Sequence, residues 1–272
     1  MRFLLVPLFL LVVSPMVAQV TDPIEERPRA RSYEDMETNL WLGSYNKFRL
    51  SERLFWRAEF HYRRGNYEDT EFIGRMAQIY NRHALSYLFS PRFTFSLGGV
   101  LRLNFTSEPG SEAYTSVLPE PRIWHEYLFV MPFQFFQIYH RLRIEHRWSK
   151  SNSLGSDWIY RNRYRYKFYM KIPLNNTQLV PGTVYFNPDV EIILQSGKQV
   201  IDSPVEDVRL YPSLSYIASP RVTYSAGVMY ATGQNINDGS LYRQRWVVRL
   251  NAYISLDLRK EEKQVPQVKL LD

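Results

Sequence analysis

Residues 158–172 read W-I-Y-R-N-R-Y-R-Y-K-F-Y-M-K-I, so one parity is mostly aromatic or apolar and the other mostly cationic. A period of two indicates a β-strand, because successive side chains leave a strand on opposite faces. The run is far longer than the five or six residues usual in soluble sheets, whereas a tilted strand needs about 9–11 residues to cross bilayer hydrocarbon. The stretch therefore predicts a strand of a transmembrane β-barrel, with aromatics toward lipid and arginines toward a polar interior.

Composition excludes several classes of protein. The chain has no cysteine, which excludes disulfides, thiolate metal sites, a cysteine nucleophile and a lipid-modified N-terminal cysteine. The net charge of +7 could indicate nucleic-acid binding. However, the basic residues alternate with aromatics inside strands and no nucleic-acid-binding module is recognisable, so no nucleic-acid partner is expected. The 20 tyrosines fit aromatic girdles at two membrane–water interfaces.

The N-terminus has the layout of an export signal. A basic Met1-Arg2 start precedes an apolar run over 3–13, and a small residue, Ala18, precedes Gln19. This pattern predicts a cleaved signal peptide over 1–18. We expect an unstructured lead-in over 19–35, a barrel domain over 36–258 and a polar tail over 259–272. The predicted location is the outer membrane of a Gram-negative bacterium.

Alternating runs follow one another along the barrel domain, separated by short turns and longer polar connections in alternation. The predicted strands cover 36–50, 54–63, 71–89, 92–105, 120–131, 136–148, 158–172, 184–195, 205–217, 222–230 and 242–258. Bacterial barrels have even strand numbers. Splitting 71–89, whose parity is unclear, would give twelve strands, and leaving out 36–50 would give ten. The fold prediction is thus an all-β, antiparallel up-and-down transmembrane barrel of about 10–12 strands with an Arg-rich interior.

Parity within the runs assigns the two faces. The residues predicted to form a charge ladder in the lumen are Arg57, Glu59, His61, Arg63, Arg102, Arg122, Glu126, Arg141, Arg143, Glu145, Arg147, Arg161, Arg163, Arg165, Lys167, Asp189, Glu191, Asp207, Arg209, Arg245 and Arg249. The residues predicted to face lipid or form girdles are Trp56, Phe60, Tyr62, Phe93, Phe95, Leu101, Phe105, Trp148, Trp158, Tyr160, Tyr164, Tyr166, Phe168, Trp246 and Leu250.

An exported soluble β-sandwich is the alternative fold. Its buried face would look similar, but its strands would be shorter and its outer face richer in Ser, Thr and mixed charge. In the clearest strands here the apolar face carries no charge. Because Lys or Arg facing mid-bilayer lipid costs about 2–4 kcal/mol, that absence favours lipid as the solvent of this face.

Residues 140–148 read H-R-L-R-I-E-H-R-W. Together with Leu40-Trp41-Leu42 and the Arg-Tyr alternation at 161–166, this motif resembles the family of outer-membrane barrels called domain of unknown function 2490. The resemblance covers nearly all the mature chain and implies a secreted β-barrel with an R-x-R-x-E-x-R-aromatic strand, but no assigned activity. Arg141, Arg143, Glu145, Arg147 and Trp148 match that strand. One departure is the polar tail after Leu258, since many such barrels end on an aromatic used in membrane insertion.

Three functions remain open from the sequence. In a structural barrel, the interior carboxylates would neutralise neighbouring arginines. In an anion-preferring channel, excess cations would line the pore, and the strip to test is Arg161, Arg163, Arg165 and Lys167. A lipid-modifying enzyme would need a base, for which His61 is the one histidine placed inward. No G-x-S-x-G or H-E-x-x-H motif occurs.

We predict no catalytic, cofactor or metal site. The expected partners are outer-membrane lipids, the barrel-insertion machinery during biogenesis and small anions, and the expected state is a monomer.

Overall fold

The computed structural model of the chain describes residues 32–107, 113–151, 156–198, 200, 203–235 and 240–259. The predicted signal peptide (1–18), the lead-in as far as residue 31 and the tail from residue 260 lie outside the described residues. No helix in these ranges is long and apolar enough to cross a membrane.

Eleven β-strands follow one another in the described chain. They are β1 Ser32–Arg49, β2 Leu54–Tyr67, β3 Thr70–Ser90, β4 Phe93–Thr106, β5 Ser116–Pro132, β6 Gln137–Ser149, β7 Ile159–Pro173, β8 Val184–Ser196, β9 Val205–Ile217, β10 Val222–Gln234 and β11 Leu241–Asp257. β1 begins at Ser32, which pairs with Leu241, so residues 32–35 are not part of an unstructured lead-in as predicted.

The strands close into a barrel in which each strand pairs with its neighbours in sequence. All consecutive strands are antiparallel, but β1 and β11 pair in parallel, from Ser32 opposite Leu241 to Arg49 opposite Asp257. In an up-and-down meander with an odd number of strands, the first and last strands point the same way, so this closure must be parallel. The predicted all-β up-and-down barrel of about 10–12 strands is confirmed. Its strand number, eleven, lies between the ten and the twelve that an even number would require, and the one parallel pair departs from the otherwise antiparallel order.

A β-bulge explains the unclear parity over 71–89, which is one strand and not two. Arg63 pairs with Gln78 and Arg64 with Met76, so Ala77 is an extra residue in β3. An extra residue reverses the alternation of side chains beyond it. Accordingly Ala77 and Gln78, although adjacent in sequence, both line the interior.

The two ends of the barrel differ. One end, the turn end, carries the connections 50–53, 91–92, 133–136, 174–183 and 218–221. The other end, the loop end, carries the connections 68–69, 107–115, 150–158, 197–204 and 235–240. β1 begins at the loop end and β11 ends at the turn end, because the strand number is odd.

The two faces of the sheet have opposite character. Large apolar side chains are exposed on the outer face, including Leu97, Ile123 and Leu214, each 53% exposed. Over the middle of the described strands, the outward positions hold no Asp, Glu, Lys or Arg. The inner face holds the buried charged residues and two small apolar clusters, one around Trp41 and one around Trp124. The barrel is thus polar inside and apolar outside, the reverse of a soluble domain.

Two adjacent glycines of β4 test how closely the strands approach. A Cβ at Gly98 would lie 2.1 Å from the carbonyl oxygen of His83, whereas at Gly99 the nearest atom, the carbonyl oxygen of Arg122, is 3.6 Å away. We expect Gly98→Ala to lower the free energy of unfolding by about 1–3 kcal/mol, since β3 and β4 must move apart. Gly99→Ala should change it by less than about 0.5 kcal/mol. Denaturant titrations followed by tryptophan fluorescence measure both, and equal losses would contradict the close approach at Gly98.

Candidate functional site

The barrel encloses a cavity of about 1400 Å³ that is lined by residues from both ends. All residues of the predicted lumen ladder point inward: Glu145 is completely buried beneath the lining and the others line the cavity. Lysines and arginines outnumber carboxylates in the lining by more than two to one. The interior of the barrel is therefore the candidate functional site.

Glu145 lies at the centre of the interior charges, with 0% of its surface exposed. Its carboxylate accepts hydrogen bonds from Arg122 and Arg165, both at 2.7 Å, and from Arg163 at 3.4 Å. Period-two alternation places these arginines inward on β5 and β7, the two strands that flank β6. A carboxylate with several guanidinium partners is the arrangement that a buried charge requires.

Four further carboxylates extend this arrangement around the barrel. Glu59 binds Arg57 at 2.6 Å and Arg82 at 2.7 Å. Glu126 binds Arg57 at 2.7 Å and also binds Arg143.

The other two lie on β8 and β9. Glu191 binds Arg141 at 2.5 Å and Arg165 at 2.8 Å, while Asp207 binds Arg209 at 2.6 Å and Arg245 at 2.9 Å. Arg57 and Arg165 each bridge two carboxylates. Arg141 also lies 3.7 Å from Glu126, and Arg209 lies 3.5 Å from Glu191, so the ion pairs form one connected network, which we call the ion-pair belt. Its members are Arg57, Glu59, Arg82, Arg122, Glu126, Arg141, Arg143, Glu145, Arg163, Arg165, Glu191, Asp207, Arg209 and Arg245.

Several ion pairs join strands that are not neighbours in the sheet. Arg57 of β2 reaches Glu126 of β5, and Arg147 of β6 reaches Glu206 of β9 at 3.1 Å. Such contacts cut across the interior instead of following its wall. They narrow the cavity and connect distant strands.

Two buried tryptophans hold guanidinium groups against their rings. Arg143 lies 4.4 Å from the ring centre of Trp124, and Arg63 lies 3.6 Å from that of Trp41. Each such contact contributes about 0.5–2 kcal/mol, more where water is excluded. Trp124 is 0% exposed, and its indole ring packs against the arginines of the belt.

Some interior cations have no carboxylate within ion-pair distance among the described residues. Near the loop end these include Arg75, Arg161 and Arg243, and toward the turn end they include Lys47 and Lys171. Between the two ends, Arg63 and Arg249 both lie against the ring of Trp41. Arg161 donates only to the Ser149 hydroxyl, at 3.3 Å, among the described groups. The nine arginines of the belt are thus only partly neutralised by its five carboxylates, and further uncompensated positive charge lies on either side of it.

Most of the predicted lipid-facing set lies on the outer face. Ten of these residues are exposed: Trp56, Phe60, Tyr62, Leu101, Trp158, Tyr160, Tyr164, Tyr166, Trp246 and Leu250. Four are partly exposed: Phe93, Phe95, Trp148 and Phe168. Phe105 is the exception, because it lies at the loop-end rim of β4 and contributes to the cavity lining.

The histidines divide as their parity indicates. His83 stacks on Trp56, and His140 contacts the Tyr166 hydroxyl at 2.7 Å, both on the outer face. His61 points inward, 3.7 Å from Glu59, with the rings of Tyr45 and Tyr80 edge-on against it. No hydroxyl nucleophile lies within hydrogen-bond distance of its ring among the described residues. These contacts hold the ring in place but assemble no catalytic group.

Sequence reasoning missed several charged interior residues, and three of them show different reasons. Glu206 has the opposite parity to the inward Asp207, so alternation alone places it outside. In the structure Ile193 pairs with Asp207 and Leu194 with Val205, which makes Glu206 the extra residue of a β-bulge. The bulge lets Glu206 bind Arg163 at 2.6 Å. Arg82 lies in β3, where the bulge obscured parity. Glu120 is the first residue of the predicted strand 120–131, shares the parity of Arg122 and binds it at 2.5 Å, so the alternation within that strand already indicated its inward position.

No group of three or more histidine, aspartate or glutamate side chains within the described ranges could hold a metal ion. Most interior carboxylates of the described chain are paired with guanidinium groups, and Asp189 is paired with the ammonium group of Lys167.

Comparison with known proteins gives a family but no activity. The family model described as "Protein of unknown function (DUF2490)" matches residues 38–242, which confirms the resemblance seen in the β6 motif. No curated protein and no solved structure matches the chain.

Substituting Glu145 tests the belt. Glu145→Gln removes the charge that compensates Arg122, Arg163 and Arg165, and we expect a loss of about 3–5 kcal/mol in the free energy of unfolding. The matched control is Glu52→Gln in the exposed β1–β2 turn, which should cost less than about 0.5 kcal/mol. Both are measured by denaturant titration in detergent micelles. A Glu145 variant as stable as the control would show that the belt contributes nothing to the fold.

Proposed function

We propose that this chain, which belongs to the DUF2490 family of proteins of unknown function, spans the outer membrane of a Gram-negative bacterium as a narrow pore that favours small anions. The observation that carries the proposal is the cation-rich cavity lined by residues from both ends of the barrel. The barrel functions as a monomer, with outer-membrane lipids around it and the insertion machinery as its partner during biogenesis.

The outer face supports the membrane part of the proposal. A closed barrel pairs its backbone groups between strands, which hydrocarbon requires. The exposed apolar band carries no charged side chain at mid-height, and a soluble protein rarely exposes so large an apolar surface.

Aromatic side chains cluster on the outer face near each end of the barrel. At the turn end, Phe93 stacks between Phe89 and Phe129, with ring centres 5.5 and 4.9 Å away. Toward the loop end, Tyr230 contacts Trp246 at 5.0 Å. Aromatic girdles of this kind mark the two membrane–water interfaces in outer-membrane barrels.

The interior supports the pore part of the proposal. Excess Arg and Lys along a passage lower the energy of an anion inside it and raise that of a cation. The uncompensated cations on both sides of the belt would attract anions into either mouth. The belt, with its cross-lumen ion pairs, would form the constriction and limit passage to small ions.

A purely structural barrel is the second candidate. The ion pairs that join β2 to β5 and β6 to β9 across the lumen favour it, because they fill space that a wide channel would leave open. The two candidates differ in one measurable property, conductance.

Tryptophan quenching tests the membrane placement. Trp246 is 42% exposed on the outer face and Trp124 is 0% exposed in the interior. In bilayers of brominated lipid we expect the quenched fraction of fluorescence to fall in Trp246→Phe and to stay unchanged or rise in Trp124→Phe, because bromine quenches only rings that it touches. Absence of quenching in the wild-type protein would exclude contact between the barrel wall and lipid.

Conductance tests the pore. Of the strip proposed from sequence, Arg163, Arg165 and Lys167 each bind a carboxylate, which leaves Arg161 as the informative position. In planar bilayers under a salt gradient, we expect a reversal potential on the anion-selective side that moves toward zero in Arg161→Glu. Arg53→Glu, the same charge change in an exposed turn, should leave it nearly unchanged. A wild-type protein that gives no conductance above background would favour the structural barrel.

A further inference from the structure

The turn-end half of the cavity differs in chemistry from the belt, and Lys47 shows the difference. Its side chain is exposed to the cavity, with Nζ 4.1 Å from the ring centre of Phe55. The charged groups that act on it, Arg57, Lys171 and Arg49, are all cations. No carboxylate of the described chain lies within ion-pair distance of it. Lys47 therefore lacks a counter-ion within the described chain, whereas the arginines of the belt have carboxylate partners.

Lys171 of β7 extends into the same chamber without a carboxylate partner among the described residues. Its Nζ lies 5.2 Å from the ring centre of Tyr139 and 5.7 Å from that of Tyr185. Tyr139 stacks on Tyr169 with ring centres 4.5 Å apart and planes 4° from parallel. Each of the two lysines thus lies close to aromatic rings, Lys47 to Phe55 and Lys171 to the tyrosines.

Serine and threonine hydroxyl groups contribute to the remaining lining at this end, beside apolar side chains such as Leu88, Leu128 and Ile254. The hydroxyl groups belong to Ser86, Thr94, Ser213, Ser215, Thr223 and Ser255. Two carboxylates on the inner face near this end are already paired, Asp189 with Lys167 at 2.5 Å and Asp257 with Arg259 at 2.6 Å, and Glu52 of the β1–β2 turn lies outside the cavity lining. The chamber therefore combines uncompensated positive charge with hydroxyl donors and acceptors.

From this combination we infer that the turn-end chamber is a binding site for a hydroxylated oxyanion, of the chemistry of a sugar phosphate or a sugar acid. The oxyanion binds between Lys47 and Lys171, where it supplies the missing negative charge. The hydroxyl groups of the ligand bind the serine, threonine and tyrosine hydroxyls, and its carbon skeleton lies against the tyrosine rings. This inference rests on the proposed pore, because it names the class of solute that the pore selects.

Isothermal titration calorimetry on the full, detergent-solubilised protein at low salt tests the site. The probes are glucose 6-phosphate, glucuronate, inorganic phosphate and glucose. We expect heat of binding with glucose 6-phosphate or glucuronate, weaker binding of inorganic phosphate and none of glucose. The stronger of the first two identifies phosphate or carboxylate as the preferred oxyanion. Equal affinity for inorganic phosphate and glucose 6-phosphate would overturn the role of the hydroxyl lining, and absence of binding by both sugar derivatives would overturn the site.

Charge-matched variants locate the binding. We expect Lys47→Gln and Lys171→Gln each to weaken binding at least tenfold, and Lys171→Arg to retain most of it. The control is Lys198→Gln, which removes a lining lysine at the loop end and should leave the affinity unchanged. Equal losses in the control, or none in the two variants, would overturn the site. Circular-dichroism melting of each variant establishes that it is folded. If a glutamine variant does not fold, the comparison of Lys171→Arg with the wild-type protein still tests the site.

Calorimetry in detergent does not depend on conductance, so the two proposals can fail separately. A protein that binds glucose 6-phosphate without conducting ions retains the site and loses the pore. One that conducts anions but binds no probe retains the pore and loses the site.

Discussion

The structure depends on the pairing of buried carboxylates with arginines inside a closed sheet. A closed barrel leaves no unpaired strand edge, but it also encloses the inner face of every strand in a narrow space. Charged side chains in that space lose much of their hydration and must find partners. Glu145 has three arginines within hydrogen-bond distance, and neighbouring carboxylates share arginines with it. Arginine suits this role because its planar fork can bind two carboxylates at once.

Pairing across the interior and closure of the sheet support each other. The parallel contact of β1 with β11 brings Trp41 opposite Arg249 and next to Arg63 on β2, so the first strand adds an indole ring to the interior. Trp124 does the same for the arginines of the belt on the other side of the barrel. Ion pairs between distant strands, such as Arg57 with Glu126, then hold the circular arrangement together. The side chains of the apolar outer face contribute little to this interior network. They contact the medium that surrounds the barrel.

The layout of charge gives the interior three zones along its axis. The belt combines nine arginines with five carboxylates, whereas the zones toward each end hold cations that have no carboxylate partner among the described residues. Those two zones differ from each other: guanidinium groups dominate near the loop end, and lysines with tyrosine and serine hydroxyls dominate near the turn end. A constriction between two positive zones suits the passage of anions, and the asymmetry gives the two mouths different chemistry.

The sequence by itself determined the class of fold and the side of the sheet on which most charged residues lie. This was possible because the period of a strand is two: once one residue of a run such as 158–172 is assigned to a face, every other residue of that run follows. For the same reason, one extra residue defeated the reasoning, at Ala77 in β3 and at Glu206 in β9, where bulges reverse the alternation. Only the tertiary structure decided that β1 closes the barrel in parallel against β11, that Glu206 and Arg82 join the interior charges and that Phe105 lines the rim. Each of these depends on which strands meet around a closed circle, and alternation within a single strand carries no information about its partners.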